Sequence, residues 1–109
     1  VLEQQWLNQP RPRVLQVSKG FTYTWDNSKA AGQRVVPGSV TLDGKALDPA
    51  AAYRVTVNSF LADGGDNFSA LKQGRNLKTG AMDVDAFEQF IARRAQGEAV
   101  TLDRIKRLN

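Results

Sequence analysis

Cysteine is absent from the 109 residues, so disulfides, zinc-thiolate sites and thiol nucleophiles are excluded together. Histidine is absent too, and this removes more: Ser-His-Asp triads, the common zinc hydrolase sites and imidazole acid–base chemistry. No apolar run approaches the roughly 20 residues of a membrane-spanning helix, and no signal-peptide pattern opens the chain. Internal repeats and low-complexity tracts are missing as well. The residues alone are poorly supplied for hydrolysis.

What is present suits one domain with a core of its own. The chain is 41% hydrophobic, and a domain of this size buries about 65% of the surface its unfolded form exposes. Fifteen Lys and Arg against eleven Asp and Glu give a net charge of +4, compatible with an anionic ligand and also ordinary for solubility. The first residues, Val1-Leu2-Glu3-Gln4-Gln5-Trp6-Leu7, place Leu2 and Trp6 on one helical face with no capping residue before them. A helix opening this way reads as the start of a fragment, a single domain over 1–109 truncated on its N-terminal side.

Pro10 and Pro12, alternating with Arg11 and Arg13, end that helix. Val14-Leu15-Gln16-Val17 is expected as a short strand. Phe21-Thr22-Tyr23-Thr24-Trp25 is expected as a second, three aromatics on one face and two threonines on the other, with Gly20 as a turn or bulge between them. Residues 26–33 read as a loop. Val40-Thr41-Leu42 and Lys45-Ala46-Leu47 flank Asp43-Gly44, the residue pair of a type I′ hairpin. Asp48 caps a short helical turn begun by Pro49, and residues 53–58 alternate as a strand with Tyr53, Val55 and Val57 inward. A loop at 59–67 leads to a short helix over 68–72. Val84, Phe87, Ile91 and Ala95 line one face of a last helix, capped by Asp83 and stopped by Gly97. Residues 101–108 form a final edge strand. This order predicts an α+β fold, a mixed and mainly antiparallel sheet packed against helices.

Asn58-Ser59-Phe60-Leu61-Ala62-Asp63-Gly64-Gly65-Asp66-Asn67-Phe68 carries the functional question. It has two readings. In one it merely connects: Phe60 plugs the core, Gly64-Gly65 turns, and Asp66 caps the next helix. In the other, Phe60 is a stacking platform for a flat ring and Asp66 accepts hydroxyl protons from a diol such as ribose.

The segment, together with Leu15-Gln16-Val17-Ser18 before the Phe21 strand and Gly32-Gln33-Arg34-Val35-Val36 before the hairpin, resembles the C-terminal, substrate-binding domain of the 5′-nucleotidase family. The resemblance extends from the first helix to Arg104-Ile105. It implies that Phe60 stacks on the base and Asp66 holds the ribose hydroxyls, with Asn58, Gly64 and Gly65 completing the substrate-binding set. Asn67 stands where the family usually has glycine, and asparagine tolerates the left-handed backbone better than most residues. Phe68 matches an aromatic that packs beneath the loop. A second phenylalanine, the pocket arginines, the metal ligands and the catalytic His-Asp pair of the family have no counterparts here. The resemblance therefore implies a non-catalytic part of a secreted, periplasmic or extracellular nucleotide hydrolase. Its two divalent metal ions would sit in an N-terminal metallophosphatase domain, which is also this chain's expected partner.

Other expectations compete. Arg93-Arg94 and Arg104-Ile105-Lys106-Arg107 suggest a nucleic-acid surface, though dipole complementation and edge protection explain them more simply, and no nucleic-acid partner is expected. The Phe21–Trp25 aromatics suggest carbohydrate stacking, but aromatics alternating on one strand face fit a core. Asp83 and Asp85, at i and i+2, point apart on a helix and read as helix-start charges rather than paired acids. A non-enzymatic interaction module that keeps the fold without the pocket is the alternative function.

Overall fold

The computed structural model describes residues 1–94 and 100–109; Ala95 and Gly97 of the expected last helix lie outside the described residues. Its sheet is ordered β3 (Lys45–Ala46), β2 (Thr41–Leu42), β1 (Phe21–Asp26), β4 (Ile105–Leu108). Strand β1 (Phe21–Asp26) pairs antiparallel with β2 (Thr41–Leu42), which pairs antiparallel with β3 (Lys45–Ala46). Strand β4 (Ile105–Leu108) runs parallel to β1 at the other edge, Tyr23 opposite Ile105 and Trp25 opposite Arg107. The sheet is thus mixed and mainly antiparallel among the described residues, as the sequence predicts. Helix α1 (Ser59–Ala62) and helix α2 (Asp83–Arg93) complete the regular elements, with three 3₁₀ turns at Leu2–Gln5, Gly65–Asn67 and Ser69–Gln73.

The aromatic face of β1 is core. Tyr23 and Trp25 are buried with Trp6 from the first turn, and Val17, Phe21, Val35, Val40 and Ile105 pack around them. The Trp6 and Trp25 rings lie 4.9 Å apart and tilted. On the opposite face of β1, the Thr22 and Thr41 hydroxyls bond across the ladder at 2.6 Å. Rings enclosed in this way leave no carbohydrate platform.

One buried polar residue ties the first turn to this core. Gln5 is fully buried, with Nε2 donating to the Leu2 carbonyl and Oε1 accepting from the Leu15 amide at 2.6 Å and the Tyr23 hydroxyl at 3.1 Å. Glu3 does the same for the loop before β2, its carboxylate accepting from the Arg34 and Val35 amides at 3.1 and 2.7 Å. The hairpin turn is as expected: Asp43 and Gly44 both have positive φ, 51° and 82°.

Four expectations are corrected. Residues 14–17 join no ladder among the described residues: the Leu15 amide goes to Gln5, and the Val17 carbonyl accepts from Arg104. Residues 53–58 also form no strand, and Tyr53, Val55 and Val57 are exposed rather than inward. Alternation makes a strand only where another edge offers hydrogen bonds, and among the described residues none does; the Tyr53 hydroxyl instead accepts from the Asp48 amide. Met82, not Asp83, is the cap of α2, and Val84, Phe87 and Ile91 on its apolar stripe are exposed. The expected loop at 59–67 contains α1 and a 3₁₀ turn.

Candidate functional site

Asn58 starts the site. Its backbone is extended (φ −70°, ψ 163°), and its side-chain Oδ1 accepts from the Leu61 amide at 2.8 Å, a helix cap that fixes where α1 begins. Asn58 thereby acts on the site by setting α1, with its side-chain oxygen committed to the backbone. Phe60, the second residue of α1, is held at the surface with 58% of its area exposed. That is not the geometry of a core plug.

The two glycines that follow act differently. Gly64 closes the helical turn with its amide on the Leu61 carbonyl and adopts φ +83°, a left-handed conformation that suits glycine. Gly65 supplies clearance. A β-carbon there would lie 2.6 Å from Cε1 and Cζ of Phe60, so the ring rests directly on the Gly65 backbone. One side of the ring is occupied by main chain while more than half of the residue stays open.

Asp66 and Asn67 are both left-handed, with φ +54° and +62°. Asn67 thus adopts the left-handed backbone that asparagine tolerates better than most residues. Asp66 caps nothing: the turn at Ser69–Gln73 has Phe68 at its cap position and no side-chain cap bond. Its carboxylate Oδ2 instead meets Arg13 Nη1 at 3.4 Å, with the two side chains 34% and 46% exposed, Asp66 first. Its carbonyl accepts from Gln9 Nε2, and Gln9 Oε1 accepts from Arg13 Nε at 3.1 Å. The Asn67 side chain donates to the Asn8 carbonyl at 2.9 Å. Gln4 adds bonds to the Ser69 hydroxyl and the Ala70 amide. Phe68, 1% exposed, packs beneath, as expected.

One segment therefore brings together Phe60, Gly64, Gly65 and Asp66, and from another segment two residues bond to Asp66 from outside the site, Gln9 and Arg13. The sequence reading misses the last two, which lie 57 and 53 residues from Asp66. Among flanking prolines they look like part of a helix stop, and no local pattern links them to the carboxylate.

Chemically, the arrangement offers an open aromatic face and a carboxylate whose Oδ1 makes no hydrogen bond among the described residues. Such a pair can stack a flat ring and accept a hydroxyl proton. Among the described residues no group of three or more acidic side chains could hold a metal ion, and the chain has no His or Cys to add ligands. A separate hollow of about 440 Å³, lined by Val40, Leu47, Pro49 and Tyr53 among others, includes neither Phe60 nor Asp66. The basic residues near the C-terminus have structural work: Arg104 donates to the Val17 carbonyl, and the Arg107 guanidinium lies 5.3 Å from the Trp25 ring centre. No helix among the described residues is long and apolar enough to cross a membrane.

The fold and the sequence match those of known proteins. The model of the family described as 5′-nucleotidase, C-terminal domain, matches residues 1–73. An apyrase of Aedes albopictus is 37% identical over 102 residues, covering 87% of this chain and 18% of the apyrase. A cell wall protein of Listeria monocytogenes is 33% identical over 102 residues, 92% of this chain and 13% of its own. The crystal structure of a 5′-nucleotidase precursor from Thermus thermophilus superposes with a TM-score of 0.77 at 37% identity, over 99% of this chain and 22% of that one. The chain spans under a quarter of the length of each of these proteins.

Proposed function

Because the chain belongs to the 5′-nucleotidase C-terminal-domain family, we propose that it is the nucleotide-recognition part of a metal-dependent phosphoric monoester hydrolase serving nucleotide catabolism. In this reading Phe60 stacks on the base and Asp66 accepts from the ribose hydroxyls. Asn58 and Gly64 fix the turn, and Gly65 gives the ring its seat. The observation that carries the reading is the Phe60 ring, supported from one side by Gly65 and 58% exposed. The chemistry of phosphate release belongs to a pair of divalent ions held elsewhere in the protein, in an N-terminal metallophosphatase domain, and no step of it is assigned to these residues. A periplasmic or extracellular location is part of the same proposal, supported by similarity to a cell wall protein.

Magnitudes limit what the chain does alone. A stacked base contributes about 1–3 kcal/mol and a hydrogen bond to a charged carboxylate about 1.5–3 kcal/mol. Association costs at least about 4 kcal/mol. Nucleosides should therefore bind at about millimolar or weaker, since a millimolar Kd already needs about −4.1 kcal/mol.

The test is a titration of adenosine into ¹⁵N-labelled protein. Amide shifts clustered at Phe60 and Gly64 to Asp66, and lost in Phe60→Ala, support the proposal. Shifts nowhere in the chain would instead favour an interaction module that keeps the fold without the pocket. Shifts spread along 104–107 with polyanions, removed by salt, would indicate a nucleic-acid surface.

A further inference from the structure

Segment 8–13 does more than end the first turn. We infer that it is a strap that positions Asp66, with Arg13 and Gln9 as positioning residues for the carboxylate. Gln9 and Arg13 form one unit, Gln9 Oε1 accepting from Arg13 Nε at 3.1 Å. From that unit Gln9 Nε2 donates to the Asp66 carbonyl and Arg13 Nη1 to Asp66 Oδ2, so backbone and side chain of one residue are gripped together. The next residue is held likewise, Asn67 Nδ2 donating to the Asn8 carbonyl.

The grip falls where the backbone needs it. Asp66 and Asn67 are consecutive non-glycine residues at positive φ, and such conformations persist only where their surroundings over-determine them. Segment 8–13 supplies that surrounding. Arg13 takes one carboxylate oxygen and leaves Oδ1 without a partner among the described residues, so the pair orients the group without consuming it. The planar guanidinium suits this task, because it binds Gln9 and Asp66 through separate nitrogens of a rigid fork.

The inference rests on the reading of Asp66 as acceptor for ribose hydroxyls, and one experiment separates the two. Adenosine and 2′,3′-dideoxyadenosine are titrated by amide shifts into the wild-type protein and into Arg13→Gln, Arg13→Lys and Gln9→Ala. The wild type should prefer adenosine at least about tenfold, the effect of one hydrogen bond to a charged group. Arg13→Gln and Gln9→Ala should cut that preference to below about threefold while leaving dideoxyadenosine affinity within about twofold, because the Phe60 platform is untouched. Arg13→Lys should recover part of the preference. Undiminished preference in Arg13→Gln and Gln9→Ala would overturn the strap and leave the reading of Asp66 standing. So would an equal loss for both ligands, the sign of a merely structural role. No preference in the wild type would overturn both.

Discussion

Gly65 lies beneath the Phe60 ring so closely that a β-carbon on it would stand 2.6 Å from two ring carbons and 2.6 Å from the Phe60 carbonyl oxygen. The ring could swing away from such a group; the carbonyl could not without moving α1. Gly65→Ala should therefore displace the platform, and adenosine-dependent shifts across residues 60–66 should fall toward the loss seen in Phe60→Ala. Retention of wild-type affinity in Gly65→Ala would show that the ring's seat is not part of the site.

Gly64 is constrained by conformation rather than by clearance from the ring. At φ +83° an alanine costs about 1–2 kcal/mol, and its β-carbon would also meet Cδ and Cγ of Lys72 at 2.7 and 2.9 Å, so the Lys72 stem must shift as well. Urea denaturation of Gly64→Ala should show a loss of about that size with the native fold retained.

The fully buried Gln5 joins three backbone and side-chain partners. Gln5→Leu would strand the Leu15 amide and the Tyr23 hydroxyl, and each buried group left unpaired costs about 1–3 kcal/mol. Unfolding free energy from urea titration should drop by about 2–6 kcal/mol, the loss expected for two such groups. Adding Tyr23→Phe, which removes one stranded hydroxyl, should recover part of the loss.

Burial pushes the Tyr23 phenol above its usual pKa. A group whose folded pKa is raised adds stability that is complete below the unfolded value, about 10, and is lost as pH rises through the folded value. The melting temperature should therefore fall more steeply above about pH 10 in the wild type than in Tyr23→Phe. Asp26 has the opposite sign: hydrogen bonds from the Ser28 hydroxyl and amide hold its carboxyl below the usual range, so any stability it adds is present above the unfolded value and is lost as pH falls through the folded one.

Local chemistry made part of this molecule readable. Asp43-Gly44 needs only its own two residues to specify the hairpin, and the ring–threonine alternation of β1 announces a buried face regardless of what covers it. Phe60, Gly64, Gly65 and Asp66 are contiguous, so the candidate site was visible as a segment and its family resemblance sharpened it. What depends on distant partners was not visible. The parallel pairing of Tyr23 with Ile105 and the grip of Arg13 on Asp66 join residues far apart in sequence, and nothing in either neighbourhood specifies the other. The alternating residues 53–58 show the converse failure, a strand pattern that finds no ladder among the described residues.

The most direct measurement is a transferred-NOE experiment on labelled protein with adenosine in excess, read at the adenine H2 and H8 protons. Cross-peaks from the Phe60 ring protons, absent in Phe60→Leu, are the predicted result. Adenosine-dependent amide shifts with no Phe60 cross-peaks, or with cross-peaks only from Tyr53 or other residues outside the 58–68 segment, would contradict it.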